Sequence, residues 1–169
     1  YVMFMQNITD MFGDIPYREA FMASQKNLTP VFDSQEEVYK QMCATLEQAN
    51  KLYASNPYVN NSYAALDNMY GFNLKKWQRF NNSLYVRLLG RLIGRSSTVI
   101  DSINNMTVKQ KMQQIVDNPA QYPIFTSNDD NATIRFTAVA PYYSEFDPAR
   151  YTEADFTNNC YHLTEQTIK

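Results

Sequence analysis

Few residues of this sequence have the types and spacing that catalysis requires. The chain contains one histidine, His162, whereas a nucleophilic triad needs such a base oriented by an acid. His162 lies in a helical pattern with no obvious acid beside it, so a surface or partly packed histidine is the favoured interpretation. The sequence has no glycine-rich phosphate loop, no His-Glu-x-x-His motif and no Walker-type lysine. Nucleophilic, zinc and phosphoryl chemistry therefore lack their residues, and we expect no cofactor.

The acidic residues offer two further kinds of site. Asp129, Asp130 and Asn131 form a polar cluster that could supply oxygen ligands to calcium, but the spacing and the distal glutamate of an EF-hand are missing. A solvated turn is the favoured interpretation, and no metal site is expected. Glycoside hydrolysis needs two carboxylates that flank one bond, and no local spacing in this chain singles out such a pair. The sequence therefore gives no specific support for an enzyme.

The most distinctive chemistry of the sequence is polar and aromatic. It contains 13 tyrosines, 10 phenylalanines and 1 tryptophan, many of them among Asn, Ser and Thr. A flat aromatic ring can stack on the apolar face of a sugar while neighbouring amides and hydroxyls bind the sugar hydroxyls. Tyrosines can equally cover helix ends and subunit contacts. The loop candidates for oligosaccharide binding are Tyr58, Tyr63, Tyr122, Tyr142 and Tyr143.

Composition and charge exclude some classes of partner. With 169 residues the chain has the length of a single domain. It has 15 Lys and Arg and 17 Asp and Glu, which gives a net charge of −2. This charge provides no electrostatic attraction to nucleic acid or anionic lipid. Cys43 and Cys160 are too few for a disulfide framework and too far apart for a Cys-x-x-Cys pair. No apolar run reaches the roughly 18 residues that a membrane span needs.

Stretches with apolar residues at every third or fourth position predict a mainly helical protein. In the third of these helices, Trp77, Leu84, Leu88 and Leu92 share one face, and arginines form a separate stripe. Glycines, prolines and capping residues mark where each helix begins and ends. The four predicted helices run from Tyr1 to Phe12, from the cap Ser34 to near Ser55, from Leu74 to Arg95, and from Thr107 to Pro119.

Three other segments complete the predicted organisation. Residues 56–73 lack a clear period and are predicted to form a surface loop. Alternating apolar residues between Ala132 and Ala140 predict a short strand or extended edge. Thr152 is a candidate cap for a last helix, and the pattern still runs where the sequence stops. Both ends of the chain are interpreted as interior to a longer protein.

Three blocks, in the same order along the chain, resemble the SusD/RagB-like family. Residues 12–20, FGDIPYREA, resemble the family signature FGDvPy-EA, and residues 28–39, LTPVFDSQEEVY, are similar to the start of one of its helices. The third block combines residues 67–71, DNMYG, with residues 76–84, KWQRFNNSL. One departure is Phe72-Asn73, where the family usually has Gly-Asp.

The resemblance implies a fold. SusD-like proteins are mainly α, with tetratricopeptide-like packed helix pairs, long loops and at most a short strand segment. Family members are several times longer than this sequence. Residues 1–169 would then be the central fragment of a SusD-like α-helical domain, truncated at both ends.

The resemblance also implies a function. SusD-like proteins are non-catalytic, surface-exposed lipoproteins of the outer membrane that bind oligosaccharide and deliver it to a SusC-like TonB-dependent transporter. Their lipid anchor would lie outside this chain. Because the ligand-contacting aromatics of the family come from variable loops outside the matched blocks, no binding residue is transferred to a position here. The alternatives are a helical scaffold that binds another protein and, with less support, a glycoside-processing enzyme.

Overall fold

The computed structural model describes residues 1–55, 61–101 and 104–134, and within these ranges the protein is mainly helical. All the helices and strands of the described residues lie in one compact unit, Tyr1–Ala132. Within the same ranges, no helix combines the length and the apolar character that crossing a bilayer demands.

Helix α1 spans Val2–Phe12, as predicted, and ends because Gly13 adopts a left-handed φ of 75° that side chains rarely tolerate. The backbone N–H of Gly13 still bonds to Thr9 O at 2.8 Å, so the last turn is closed. Its inner face buries Val2 and Met5 against the core.

Helix α2 spans Gln35–Ser55, which confirms the predicted end near Ser55. Ser34 Oγ accepts a hydrogen bond from the backbone N–H of Glu37 at 3.3 Å, as a residue that precedes a helix often does. Two acidic residues, Glu36 and Glu37, lie in the first turn, where they interact favourably with the helix dipole.

Helix α3 spans Leu74–Arg91 and is shorter than the predicted Leu74–Arg95. Residues Ile93–Arg95 form a tighter 3₁₀ turn, in which the backbone N–H of Arg95 bonds to Leu92 O at 2.8 Å. Gly90 and Gly94 both fall near this transition, and glycine is a poor helix former, so the regular helix ends early. Of the predicted inner face, Leu84 and Leu88 are buried, whereas Trp77 and Leu92 are half-buried.

Helix α4 spans Val108–Asp117, which confirms the predicted start at Thr107, and a capping box closes its first turn. Thr107 Oγ1 accepts from the backbone N–H of Gln110 at 3.3 Å, and Gln110 Oε1 accepts from the backbone N–H of Thr107 at 2.9 Å. The two bonds satisfy donors that the start of a helix leaves free.

A two-stranded antiparallel sheet joins β1, Val99–Asp101, to β2, Met106–Thr107. The sequence did not predict it. The predicted strand between Ala132 and Ala140 is absent from Ala132–Ile134, and its remainder lies outside the described residues. The predicted loop at 56–73 contains a short 3₁₀ helix, Asn61–Leu66, and residues 56–60 lie outside the described ranges, as does the predicted last helix.

The core lies where α2 packs against both α1 and α3 and where α3 packs against α4. Its fully buried residues include Met42 from α2, Leu88 and Leu89 from α3, and Ile115 from α4. Each helix therefore contributes an apolar face to one continuous core.

Candidate functional site

The structure places one of the five tyrosine candidates in the core. Tyr122 is 1% exposed, and its hydroxyl donates to Glu47 Oε1 at 2.8 Å. A ring buried in this way has no face for a sugar, so the interpretation of Tyr122 as a loop ligand is wrong. Tyr63 lies in the 3₁₀ helix Asn61–Leu66. Tyr58, Tyr142 and Tyr143 lie outside the described residues.

The first two family-like blocks meet around one buried carboxylate, that of Asp33. Its Oδ2 accepts from the backbone N–H groups of Tyr17 at 3.1 Å and Arg18 at 2.9 Å. Burial acts to raise the pKa of Asp33, but these bonds and the Arg18 guanidinium outweigh it and hold the pKa below its usual value. Asp33 of the second block therefore holds the first block in place through hydrogen bonds and is not free to bind a ligand.

The third block is built in the same manner around Asp67. Its carboxylate accepts from three backbone N–H groups and, at 2.7 Å, from the indole Nε1 of Trp77. Burial acts to raise the pKa of Asp67, yet these four donors lower it overall. Trp77 also packs edge-on against Tyr70 and Phe80. This block shapes the entry into α3 and fixes the half-buried indole of Trp77 in the first turns of that helix.

The favoured interpretation of residues 129–131 as a solvated turn is wrong for Asp130, which is buried, whereas Asp129 and Asn131 are exposed. The Asp130 carboxylate contacts Arg79 Nη1 at 2.7 Å and accepts from the backbone N–H of Thr126 at 3.0 Å. These donors, the Thr126 N–H first, lower the pKa of Asp130 to about 2. Across the ranges that the structure describes, no group of three potential metal ligands occurs.

The lowered pKa of Asp130 predicts a loss of stability in acid. A carboxyl whose pKa is lowered by folding stabilises the folded protein when the pH is above the ordinary pKa of that carboxyl. This stabilisation is lost as the pH falls through the pKa that the carboxyl has in the folded state. We expect the urea midpoint to drop between about pH 5 and about pH 2, and Asp130→Asn to lower the midpoint near neutral pH and flatten this drop. Asp129→Asn, which alters the exposed neighbour, is the matched control. An equally steep drop in Asp130→Asn would contradict the assignment.

An open groove of about 780 Å³ lies where four helices and the small sheet approach one another. The end of α1 and the start of α2 contribute Asp10, Glu36 and Tyr39, and the end of α3 contributes Arg91. The segment after α3 adds Gly94, Arg95 and Thr98. Leu92, Ile100 and Val108 supply apolar lining.

An ion pair and hydrogen bonds fix the positions of charged groups in this groove. Asp10 Oδ2 lies 2.7 Å from Arg91 Nη2, and the Tyr39 hydroxyl donates to Asp10 Oδ1 at 2.6 Å. Asp14 Oδ1 accepts from the backbone N–H of Gln35 at 2.9 Å. Burial and the bond to Asp10 raise the pKa of Tyr39, so this phenol stays protonated and remains a donor near neutral pH.

Sequence reasoning missed the groove because its lining comes from distant segments. The only local signal is the arginine stripe of α3, for which the sequence pattern predicts no ligand. The fold and the groove therefore define the class of the molecule as a scaffold of packed helices with an open polar groove.

A model of the SusD-like family, described as starch-binding and associating with the outer membrane, matches residues 1–166, and the chain belongs to this family. This confirms the resemblance of the three blocks. The expected fold, tetratricopeptide-like packed helix pairs, is confirmed as well. A comparison with curated protein sequences gave no match.

Three solved structures from Bacteroides are similar to the chain. A B. vulgatus outer membrane protein linked to nutrient binding is 26% identical with a TM-score of 0.71 and covers 89% of this chain and 31% of its own. A SusD homologue from B. ovatus is 26% identical with a TM-score of 0.63, and the match covers 81% of this chain and 25% of the homologue. Another, from B. thetaiotaomicron, is 29% identical with a TM-score of 0.58, also covering 81% and 25%. The chain thus spans between a quarter and a third of the length of these relatives.

Proposed function

We propose that this protein binds an oligosaccharide at the outer membrane without transforming it. The observation that carries the proposal is the match of residues 1–166 to a starch-binding family that associates with this membrane. The resemblance to an outer membrane protein linked to nutrient binding supports it. Two acids of the family-like blocks, Asp33 and Asp67, are held by structural hydrogen bonds, which fits a binding scaffold better than a catalytic centre.

The finer proposal concerns delivery and compartment. The bound oligosaccharide passes to a SusC-like TonB-dependent transporter, and the protein is surface-exposed through a lipid anchor outside residues 1–169. These residues are the central part of a longer SusD-like α-helical domain. The share of the solved relatives that the chain covers, 31% or less, supports that placement.

Aromatic loops hold the sugar in this proposal. Tyr142 and Tyr143 are adjacent in sequence and provide two rings, and Tyr58 and Tyr63 are the other candidates. Stacking on such rings requires neither a metal nor a cofactor.

Affinity electrophoresis in gels that contain starch, followed by a panel of other glycans, tests the proposal. We expect retarded migration of the wild type and about tenfold weaker binding of the double variant Tyr142→Ala/Tyr143→Ala, with an unchanged melting temperature. The double variant Tyr142→Phe/Tyr143→Phe is the matched control, because it keeps both rings and should keep most of the affinity. No retention by any glycan, together with stable capture of a protein, would instead favour a helical protein-binding scaffold.

A further inference from the structure

We propose that the groove bounded by the end of α1, the start of α2 and the end of α3 is a subsite for a neutral, hydroxyl-rich oligosaccharide segment. This inference rests on the proposed glycan binding and gives it a location. The groove volume of about 780 Å³ lies within the roughly 300–1,000 Å³ of small-molecule pockets. Tyr122, the tyrosine candidate whose side chain the structure describes, does not line it.

The charge balance of the lining favours a neutral ligand. Three carboxylates, those of Asp10, Asp14 and Glu36, share the groove with the guanidinium groups of Arg91 and Arg95. Most of these charges already have a partner. Asp10 pairs with Arg91, and Glu36 pairs with Lys40 Nζ at 2.7 Å. Because neither sign dominates, a strongly anionic or cationic ligand would gain little here.

The same groups retain hydrogen-bonding capacity that suits sugar hydroxyls. A carboxylate has about four acceptor sites and a guanidinium five N–H donors, so the Asp10–Arg91 contact uses only part of each. A sugar hydroxyl both donates and accepts, and can therefore bind acids and arginines at once. The hydroxyls of Ser34 and Thr98 add groups of the same kind.

The groove is organised before any ligand arrives. The Asp10 carboxylate is held from two directions, by Tyr39 and by Arg91, at 2.6 and 2.7 Å. Side chains that are already ordered lose less entropy when they bind. The half-buried side chain of Leu92 offers apolar contact for the C–H face of a pyranose ring, whereas Ile100 and Val108 are almost fully buried.

Gly94 provides a way to block the groove without changing its charges. It lines the groove, and a Cβ added to it would meet no atom within 4 Å. A tryptophan can therefore replace Gly94 without a clash at its Cβ, and it places a bulky ring at the rim of the groove. Arg87 lies on α3, is exposed and does not line the groove, so Arg87→Trp is the matched control.

The test is isothermal titration of the full chain with maltoheptaose, a short linear starch fragment, together with melting temperatures. We expect Gly94→Trp to weaken binding at least tenfold with a melting temperature like that of wild type, and Arg87→Trp to bind as wild type does. Arg95→Ala removes the exposed guanidinium of the groove and should weaken binding about threefold. If Gly94→Trp does not fold, the result for Arg95→Ala tests the subsite in its place.

The outcomes separate this inference from the proposed function. If wild type, Gly94→Trp and Arg95→Ala all bind maltoheptaose equally, the groove is no subsite and glycan binding stands. If the groove variants bind normally while the Tyr142/Tyr143 variant does not, the aromatic loops alone carry the ligand. If the wild type binds neither maltoheptaose nor any glycan of the panel, both proposals fail.

Discussion

Lys111→Met is expected to lower the free energy of unfolding by about 3–5 kcal/mol, because it removes the cation from a buried charge cluster. Lys111 is 1% exposed, and its Nζ lies 2.7 Å from Glu47 Oε2 and 3.5 Å from Asp101 Oδ2. Without that ammonium, the carboxylates of Glu47 and Asp101, which are largely shielded from water, would lose their shared cation and would repel each other. Urea unfolding monitored by circular dichroism measures the loss.

Two further variants make this result interpretable. Lys109→Met changes an exposed lysine of the same helix and should alter stability by no more than about 0.5 kcal/mol. The double variant Lys111→Met/Glu47→Gln should recover part of the loss, because it also removes the charge of the carboxylate that loses its 2.7 Å partner. A Lys111→Met protein as stable as the Lys109→Met control would contradict the buried cluster.

The cluster around Lys111 matters for the groove because it anchors the elements that form the groove lining. It joins α2 through Glu47, β1 through Asp101 and α4 through Lys111 itself. Ile100 and Val108, which line the groove, lie on the same strand and helix. Burial acts to lower the pKa of Lys111, but Glu47 outweighs it and raises the pKa, so the ammonium stays charged in the folded protein.

Cys43 lies close enough to this cluster to be influenced by it. Burial raises the pKa of its thiol to about 12, and the charge of Lys111 lowers it only in part. A thiol with this pKa stays protonated at neutral pH and is a poor nucleophile. Cys43 is therefore a packing residue.

Helix ends are the feature that local sequence predicts best in this chain. Gly13 ends α1, and Thr107 with Gln110 begins α4, because each signal acts through backbone atoms only a few residues away. The predicted end of α3 lies several residues too far along the chain, because two glycines weaken a helix but do not stop it at a particular position. A two-stranded sheet with strands of three and two residues is too short for an alternating pattern to reveal.

The candidate site could not be predicted, because its contacts join residues far apart in sequence. Tyr122 stands beside Pro123 and has the sequence context of a loop, yet its hydroxyl partner Glu47 is 75 residues away. Lys111 is a charged residue in a polar stretch, and only the packed helices reveal that it is buried. The groove has the same character, since α1, α2, α3, α4 and β1 all contribute to it.

A second polar feature of the core joins α2 to α3 through side-chain amides. Asn82 is fully buried, and its Nδ2 donates to Asn50 Oδ1 and to the carbonyl of Pro123, both at 3.0 Å. Gln78 Nε2 donates to the same Asn50 oxygen at 2.8 Å. The sequence NNS in the third family-like block thus provides bonds between helices, which explains why polar residues interrupt the apolar face of α3.

Asn82→Ala is expected to destabilise the protein by about 2–4 kcal/mol, because the Pro123 carbonyl loses its donor and a cavity opens in the core. Asn82→Asp keeps the side-chain volume but replaces both N–H donors with a carboxylate oxygen that faces two acceptors. It should therefore cost at least as much as Asn82→Ala if the bonds matter, and much less if volume alone matters. Gln48→Ala, an exposed position on α2, is the control and should remain within about 0.5 kcal/mol of wild type. Equal stability of Asn82→Asp and wild type would show that the amide bonds do not hold α2 against α3.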